Sequence, residues 1–360
     1  MSKPQTRRLR TRRFRRPQLG TVAGLVTLVL VAAGALLPPK FVTEGAGPTF
    51  NTIGEHDGKQ LISITGHPTY PPKGELDMTT VYVSGGPNGP TGALNVLSAW
   101  LNPDRTALPS DALYDPSMTR QQVSSQNTSD MTDSQTSAQA AAATYLSMDY
   151  STTLTVMGAT DDAAARLNHG DVLTSVDGQP LKNYDQLKKA LADGKGSPMN
   201  LGYTTSGGEK RTITVEPTRD QSSGQYRLGL YLKSDYSFPF QVNYGLEQVG
   251  GPSAGMMFTL GIIDELTEGD MTGGRHFAGT GTIDAGGKVG PIGGIRQKMI
   301  GAKSDGASVF LAPVDNCDEV IGHIPDGLSV VKVGSIDEAV HAVEAVGQGK
   351  DPSALPQCTG

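Results

Sequence analysis

The chain has 360 residues, 37% of them hydrophobic and 18% charged, and a formal net charge of −6. That length can hold two or three domains with a sizeable buried core. The charge is segregated: residues 1–39 carry eight Lys and Arg and no acid, which leaves −14 on residues 40–360 and argues against nucleic acid as a partner of the body.

The basic tip, residues 1–18, runs into Leu19–Leu37, a stretch without a single charge. As a helix rising about 1.5 Å per residue it is about long enough to cross a hydrocarbon core. Arginines before it and an acidic body after it put the N-terminus in the cytoplasm by the positive-inside rule. The expectation is a single-pass signal anchor in the cell membrane with everything after it extracytoplasmic. Ala32-Ala33-Gly34-Ala35 keeps a cleaved signal peptide open as the alternative, and the body is exported in both cases.

Residues 41–150 give mixed signals. Leu61–Thr65 and Thr79–Val83 read as strands from their β-branched content and alternation. Ala93–Leu101 reads as a short apolar helix carrying the only tryptophan, Trp100, to which we assign a packing role. Residues 117–147 lack Gly and Pro; they fit a solvated helix or a poorly ordered segment, and the run Ala138–Ala143 favours helix. No catalytic pattern is visible in this region.

Residues 151–220 form a compact unit. Strands are expected at Thr153–Met157, Met199–Thr204 and Arg211–Glu216, with a short helix at Ala163–Leu167; His169–Leu181 reads as a glycine turn, a buried strand and an Asp177-Gly178 hairpin turn. Tyr184–Ala192 is amphipathic, with Leu187 and Leu191 on one face. The pattern Gly170-Asp171-Val172-Leu173 followed by Val176-Asp177-Gly178-Gln179-Pro180-Leu181 resembles bacterial PDZ domains. That resemblance implies a groove between a strand and the Tyr184–Ala192 helix that captures an extended peptide by strand addition. A PDZ fold used only as a spacer is the plainer reading.

In residues 225–346 strands are expected at Arg227–Leu232, Gln241–Tyr244, Gly279–Ile283, Ser308–Ala312 and Ser329–Val333, and helices at Ser253–Glu265, Arg296–Ser304 and Ile336–Ala345. No regular βαβ repeat emerges, so the expected class is α+β rather than a doubly wound sheet. Residues 347–360 are a tail. Cys317 and Cys358, an even count in an oxidising compartment, allow one disulfide tying that tail back; their spacing does not suggest a metal site.

Two motifs carry the chemistry. Gly250-Gly251-Pro252-Ser253-Ala254-Gly255 runs into the apolar stretch Met256–Leu260, and Gly290-Pro291-Ile292-Gly293-Gly294-Ile295-Arg296-Gln297-Lys298 runs into Met299–Ala302. Glycines and a proline before an apolar run suggest a tight loop entering a helix, which exposes a nucleophile beside backbone N–H groups. A lysine on a semi-apolar helix loses its proton more easily through desolvation and can then serve a serine as base.

Gly-Pro-Ser-Ala-Gly at 251–255, Pro-Ile-Gly-Gly-x-x-x-Lys at 291–298, and Ala278-Gly279-Thr280-Gly281-Thr282-Ile283 between them together resemble the proteolytic domain of Lon proteases, peptidase family S16. The resemblance implies the fold of the second domain of ribosomal protein S5, Ser253 as nucleophile, Lys298 as general base, and assembly into homo-oligomeric rings. Gly251, Pro252 and Ala254 would shape an oxyanion site, and Thr280 would orient the lysine. With the anchor and the PDZ-like unit, the whole chain resembles membrane-anchored, PDZ-containing Lon-like proteases of bacteria, acting on protein or peptide substrates.

Gln248-Val249-Gly250 stand where many Lon sequences carry an acid and a lysine before the serine motif. No Gly-x-x-x-x-Gly-Lys-[Ser/Thr] occurs, so neither ATP nor any other cofactor is expected. Gly251-x-Ser253-x-Gly255 also fits a nucleophile elbow, with Asp315 and His323 or His341 as partners, although only a short stretch follows the serine. His56, His67, His169 and His276 are scattered and read as surface residues. The rival from another class is a catalytically inactive, membrane-anchored PDZ scaffold that binds peptide tails.

Overall fold

The computed structural model describes residues 20, 22–24, 26, 27, 40–160, 166–221, 224–246 and 249–359. Most of the expected anchor Leu19–Leu37, most of the expected helix Ala163–Leu167, and Gln248 lie outside these residues. Among the described residues no helix is long and apolar enough to cross a membrane. The chain forms two units, residues 1–45 with 83–120 and residues 46–82 with 121–360.

In the smaller unit the first residues of the Phe41–Asn51 strand pair antiparallel with Thr106–Pro109. The Ala93–Leu101 helix buries Val96 and Ala99. Its Trp100 packs edge-on against the Phe41 ring at 5.6 Å but stays 61% exposed, so the packing expected for it is partial.

Two large sheets organise the larger unit, beside several two-stranded ones. Ser329–Val333, Val309–Pro313, His276–Gly279 and Glu75–Gly85 lie side by side, all parallel. This corrects the α+β expectation toward mixed α/β. The strand Glu75–Gly85, more than 190 residues away in sequence from its neighbour, could not be assigned to this sheet by local pattern. The expected strand Gly279–Ile283 is broken: His276–Gly279 stays in the sheet, and Thr282–Ile283 turns away to pair with Val289–Gly290. Alternate side chains of the strands feed two cores. Phe277, Leu311 and Val331 point with the helices Gly255–Leu266 and Ile336–Gly347 into one, while Ala278, Phe310 and Val330 pack with the helix Ile295–Ser304 in the other.

The second sheet is the PDZ-like unit, in the order Lys210–Val215, Met199–Thr204, Val172–Val176, Ser151–Ala159 and Leu230–Ser237. Gln179–Pro180 folds back on Val172–Val176 across the two-residue Asp177-Gly178 turn, as residues tolerant of positive φ allow. Leu154, Val156, Leu187, Leu201 and Leu228 form its own core. The expected strand Arg227–Leu232 is displaced to Leu230–Ser237, and it pairs with Ser151–Ala159 inside this sheet, not with the C-terminal one.

The Arg120–Tyr145 segment is a single helix of 26 residues. Ala138, Ala141, Ala142 and Ala143 are fully buried in the main core; small side chains there let the helix backbone come close to its neighbours. Cys317 and Cys358 are disulfide-bonded, and the tail they hold runs beside Ser329–Val333 through Lys332 N–H donating to Pro356 O at 2.9 Å. Closing a loop of this length restricts the unfolded chain, so Cys358→Ser should lower stability by about 3 kcal/mol. Thermal melting of wild type and variant reads this directly; equal melting would show the tail to be held by its backbone contacts alone.

Candidate active site

Ser253 sits in the turn just before the Gly255–Leu266 helix, which starts two residues later than the Ser253 start expected from the sequence. That helix is buried along its whole length, so the turn is anchored from behind. Lys298 is in the first turn of the Ile295–Ser304 helix, which Gly294 starts at a φ of 69°, a left-handed conformation that suits glycine. The two helices lie against opposite faces of the parallel strands. They meet at the C-terminal end of His276–Gly279, where Thr280 follows.

There Lys298 Nζ is 2.7 Å from Ser253 Oγ and 2.8 Å from Thr280 Oγ1. Lys298 is 2% exposed and Thr280 fully buried, whereas Ser253 is half-buried. The Thr280 hydroxyl donates to Ser253 O at 3.0 Å, and Gly281 N–H donates to the same carbonyl at 2.9 Å. With its proton committed to that carbonyl, Thr280 Oγ1 can only accept from the lysine. Among the described residues the side chain bonded to Ser253 Oγ is Lys298, and neither His323 nor His341 takes that place.

The loop before the serine is held by the helix in which no catalytic pattern was visible. Asn127 O accepts from Gly251 N–H at 2.9 Å, and Ser134 Oγ donates to Pro252 O at 3.1 Å. Tyr244 Oη donates to Gln135 O at 3.0 Å, while its ring packs edge-on against Phe258. A side chain at 250 would put its Cβ 2.7 Å from Asn127 Cβ, so glycine there permits the close approach. The only sequence trace of this contact is the alanine run; its target is over 100 residues away. Gly251 thus has its N–H engaged and proline has none, so these two of the expected oxyanion residues position the loop instead. The N–H groups of Ser253 and Ala254 have no backbone acceptor among the described residues. Ser134→Ala should cost about 1 kcal/mol of loop order and lower kcat/KM roughly fivefold with KM little changed. Steady-state kinetics on an unfolded protein substrate would check it, and an unchanged kcat would remove Ser134 from this role.

His276 departs from its surface assignment. It is half-buried between two acids, with Nε2 2.7 Å from Asp77 Oδ2 and Nδ1 3.2 Å from Glu75 Oε2. The hydrogen bond to Asp77 raises its pKa, against the opposing effect of burial.

Residues 241–345 match the family model of the Lon protease (S16) C-terminal proteolytic domain. Residues 151–220 match that of the Tricorn protease PDZ domain. The chain carries a Lon-type proteolytic domain and a PDZ-like domain. It is 27% identical over 205 residues to Lon protease 1 of Bacillus subtilis, a match covering 48% of this chain and 26% of that one. With Lon protease of Elusimicrobium minutum it shares 28% identity over 198 residues, 53% of this chain and 22% of that one. The chain therefore spans about a quarter of the length of these relatives. Among solved structures, the PDZ domain of the SdrC-like protein of Listeria innocua aligns at 24% identity and a TM-score of 0.21, covering 22% of this chain and 92% of that one.

Proposed function

We propose that the protein is an ATP-independent serine endopeptidase with a Ser253–Lys298 dyad, held by Leu19–Leu37 on the outer side of the cytoplasmic membrane. The observation that carries the reading is the buried lysine amine 2.7 Å from a half-buried serine hydroxyl. Burial disfavours the ammonium form. A neutral amine would give one N–H to Thr280 Oγ1 and turn its lone pair to the Ser253 proton.

In the proposed reaction Ser253 Oγ attacks the peptide carbonyl as its proton passes to Lys298 Nζ. The resulting oxyanion is met by the N–H groups of Ser253 and Ala254. The C–N bond then breaks, the lysine proton leaves with the amine, and an acyl-serine remains. Water attacks that ester with Lys298 again taking the proton, and Ser253 is restored.

For the PDZ-like domain the reading is peptide capture. A groove of about 800 Å³ runs between the Tyr184–Gly194 helix and the stretch Leu228–Leu232, lined by Tyr184, Leu187, Leu191 and Tyr231. An extended chain could lie there beside the strand. In this reading the enzyme cuts flexible or already unfolded exported proteins, as a homo-oligomer of the kind the Lon resemblance implies.

The test is turnover of an unfolded protein such as casein by the full-length chain in detergent, with and without ATP. Cleavage at the same rate in both is expected. No cleavage under either condition, with peptide binding retained, would favour the inactive scaffold.

A further inference from the structure

The Ala93–Leu101 helix turns an unusual face to its surroundings. Leu94, Leu97, Trp100 and Leu101 are 75%, 49%, 61% and 77% exposed, and at helical spacing they make one contiguous apolar arc beside the buried Val96 and Ala99. Trp100 touches Phe41, and Phe41 also lines a groove of about 540 Å³ with Pro109, Tyr114 and Met118. Soluble surfaces rarely leave so many large apolar side chains together without a partner.

What covers this face follows from where the chain comes from. Phe41 is four residues after Leu37, the last residue of the expected anchor, so its Cα lies within roughly 14 Å of that point however the intervening chain runs. Trp100 is in ring contact with it. We propose that this helix lies on the bilayer that holds the anchor, its leucines in the acyl boundary and Trp100 at the headgroup level, where amphipathic rings are favoured. The proposal rests on the anchor reading given above, and it adds a second attachment that presses this unit against the lipid surface. Its occupant is lipid, not a second copy of the chain.

The chain contains one tryptophan, so its fluorescence reports on this face without labelling. Full-length protein would be reconstituted into phosphatidylcholine vesicles, recovered by flotation, and compared in vesicles whose lipid is brominated high on the acyl chain. Trp100 emission should fall by about half in the brominated vesicles. The double substitution Leu94→Ser with Leu101→Ser, at exposed positions, should leave flotation intact and weaken the quenching. Protein that floats but shows equal emission in both vesicles overturns the proposal and leaves the anchor standing. Unquenched emission that shifts to the blue as protein per vesicle increases overturns it in favour of a second copy. Protein that fails to float sinks the anchor, and this inference with it.

Discussion

Replacing Lys298 with alanine should lower kcat by about 10³-fold or more while leaving the fold intact, and Ser253→Ala should do the same. The two effects should not add, because each removes the same proton transfer: the double variant should be no slower than either single one. Lys298→Ala opens a small cavity beside Thr280, so melting temperature must be followed with turnover to separate chemistry from unfolding. The pH profile gives a second readout. A base that works as the neutral amine makes activity rise with pH through a depressed lysine pKa and then level off. Activity in Lys298→Ala equal to that of wild type would remove the dyad. A profile governed by a histidine-like group and surviving that substitution would do so as well.

Stability should move with pH in the opposite direction. Asp264 and Glu265 close the helix that begins after Ser253, and they are 2% and 8% exposed. Burial raises their pKa values to about 6 and about 7, with Asp270 adding to the shift of the first and Asp264 to that of the second. The negative end of the helix dipole disfavours charge there too. Asp264 Oδ1 accepts from Met271 N–H at 3.2 Å, but Oδ2 has no hydrogen-bond partner among the described residues. Both folded-state values lie above the unfolded ones, so between about pH 4 and pH 7 the folded chain keeps protons that the unfolded chain has released. Their contribution is therefore complete below about pH 4 and is lost as pH rises through 7, by on the order of 5 kcal/mol for the two together. Asp264→Asn combined with Glu265→Gln should remove that loss. Melting at pH 5 and pH 8 should show the variant's gap narrower than that of wild type by roughly 10 °C. Parallel pH dependence in the two proteins would mean that these carboxylates ionise without penalty.

Much of the local structure was readable along the chain. Ala93–Leu101, Met199–Thr204, Gln241–Tyr244 and Ser329–Val333 appear at the residues where pattern put them, because periodicity and turn chemistry act within a few residues. The failures share a cause. Leu230–Ser237 joins the PDZ-like sheet and Glu75–Gly85 the C-terminal one; strand pairing is chosen by distant partners, and a strand's own residues do not name them. His276 was placed on the surface because its partners Asp77 and Glu75 come from that same distant strand.

The candidate site divides in the same way. Residue types and spacing nominated Ser253 and Lys298, since a glycine-rich turn before an apolar helix is a local signal, and the resemblance to the Lon motifs set the lysine apart from an ordinary solvated one. Only the packed structure decided the rest. Helices on opposite sides of the parallel strands had to reach past the end of His276–Gly279 before the amine could meet the hydroxyl. The Arg120–Tyr145 helix had to dock for Asn127 and Ser134 to fix the loop. Which hydroxyl donates and which accepts likewise depends on Thr280 finding Ser253 O across 27 residues of chain. Local propensity sets the pieces, whereas burial and hydrogen-bond direction exist only once distant segments exclude water together.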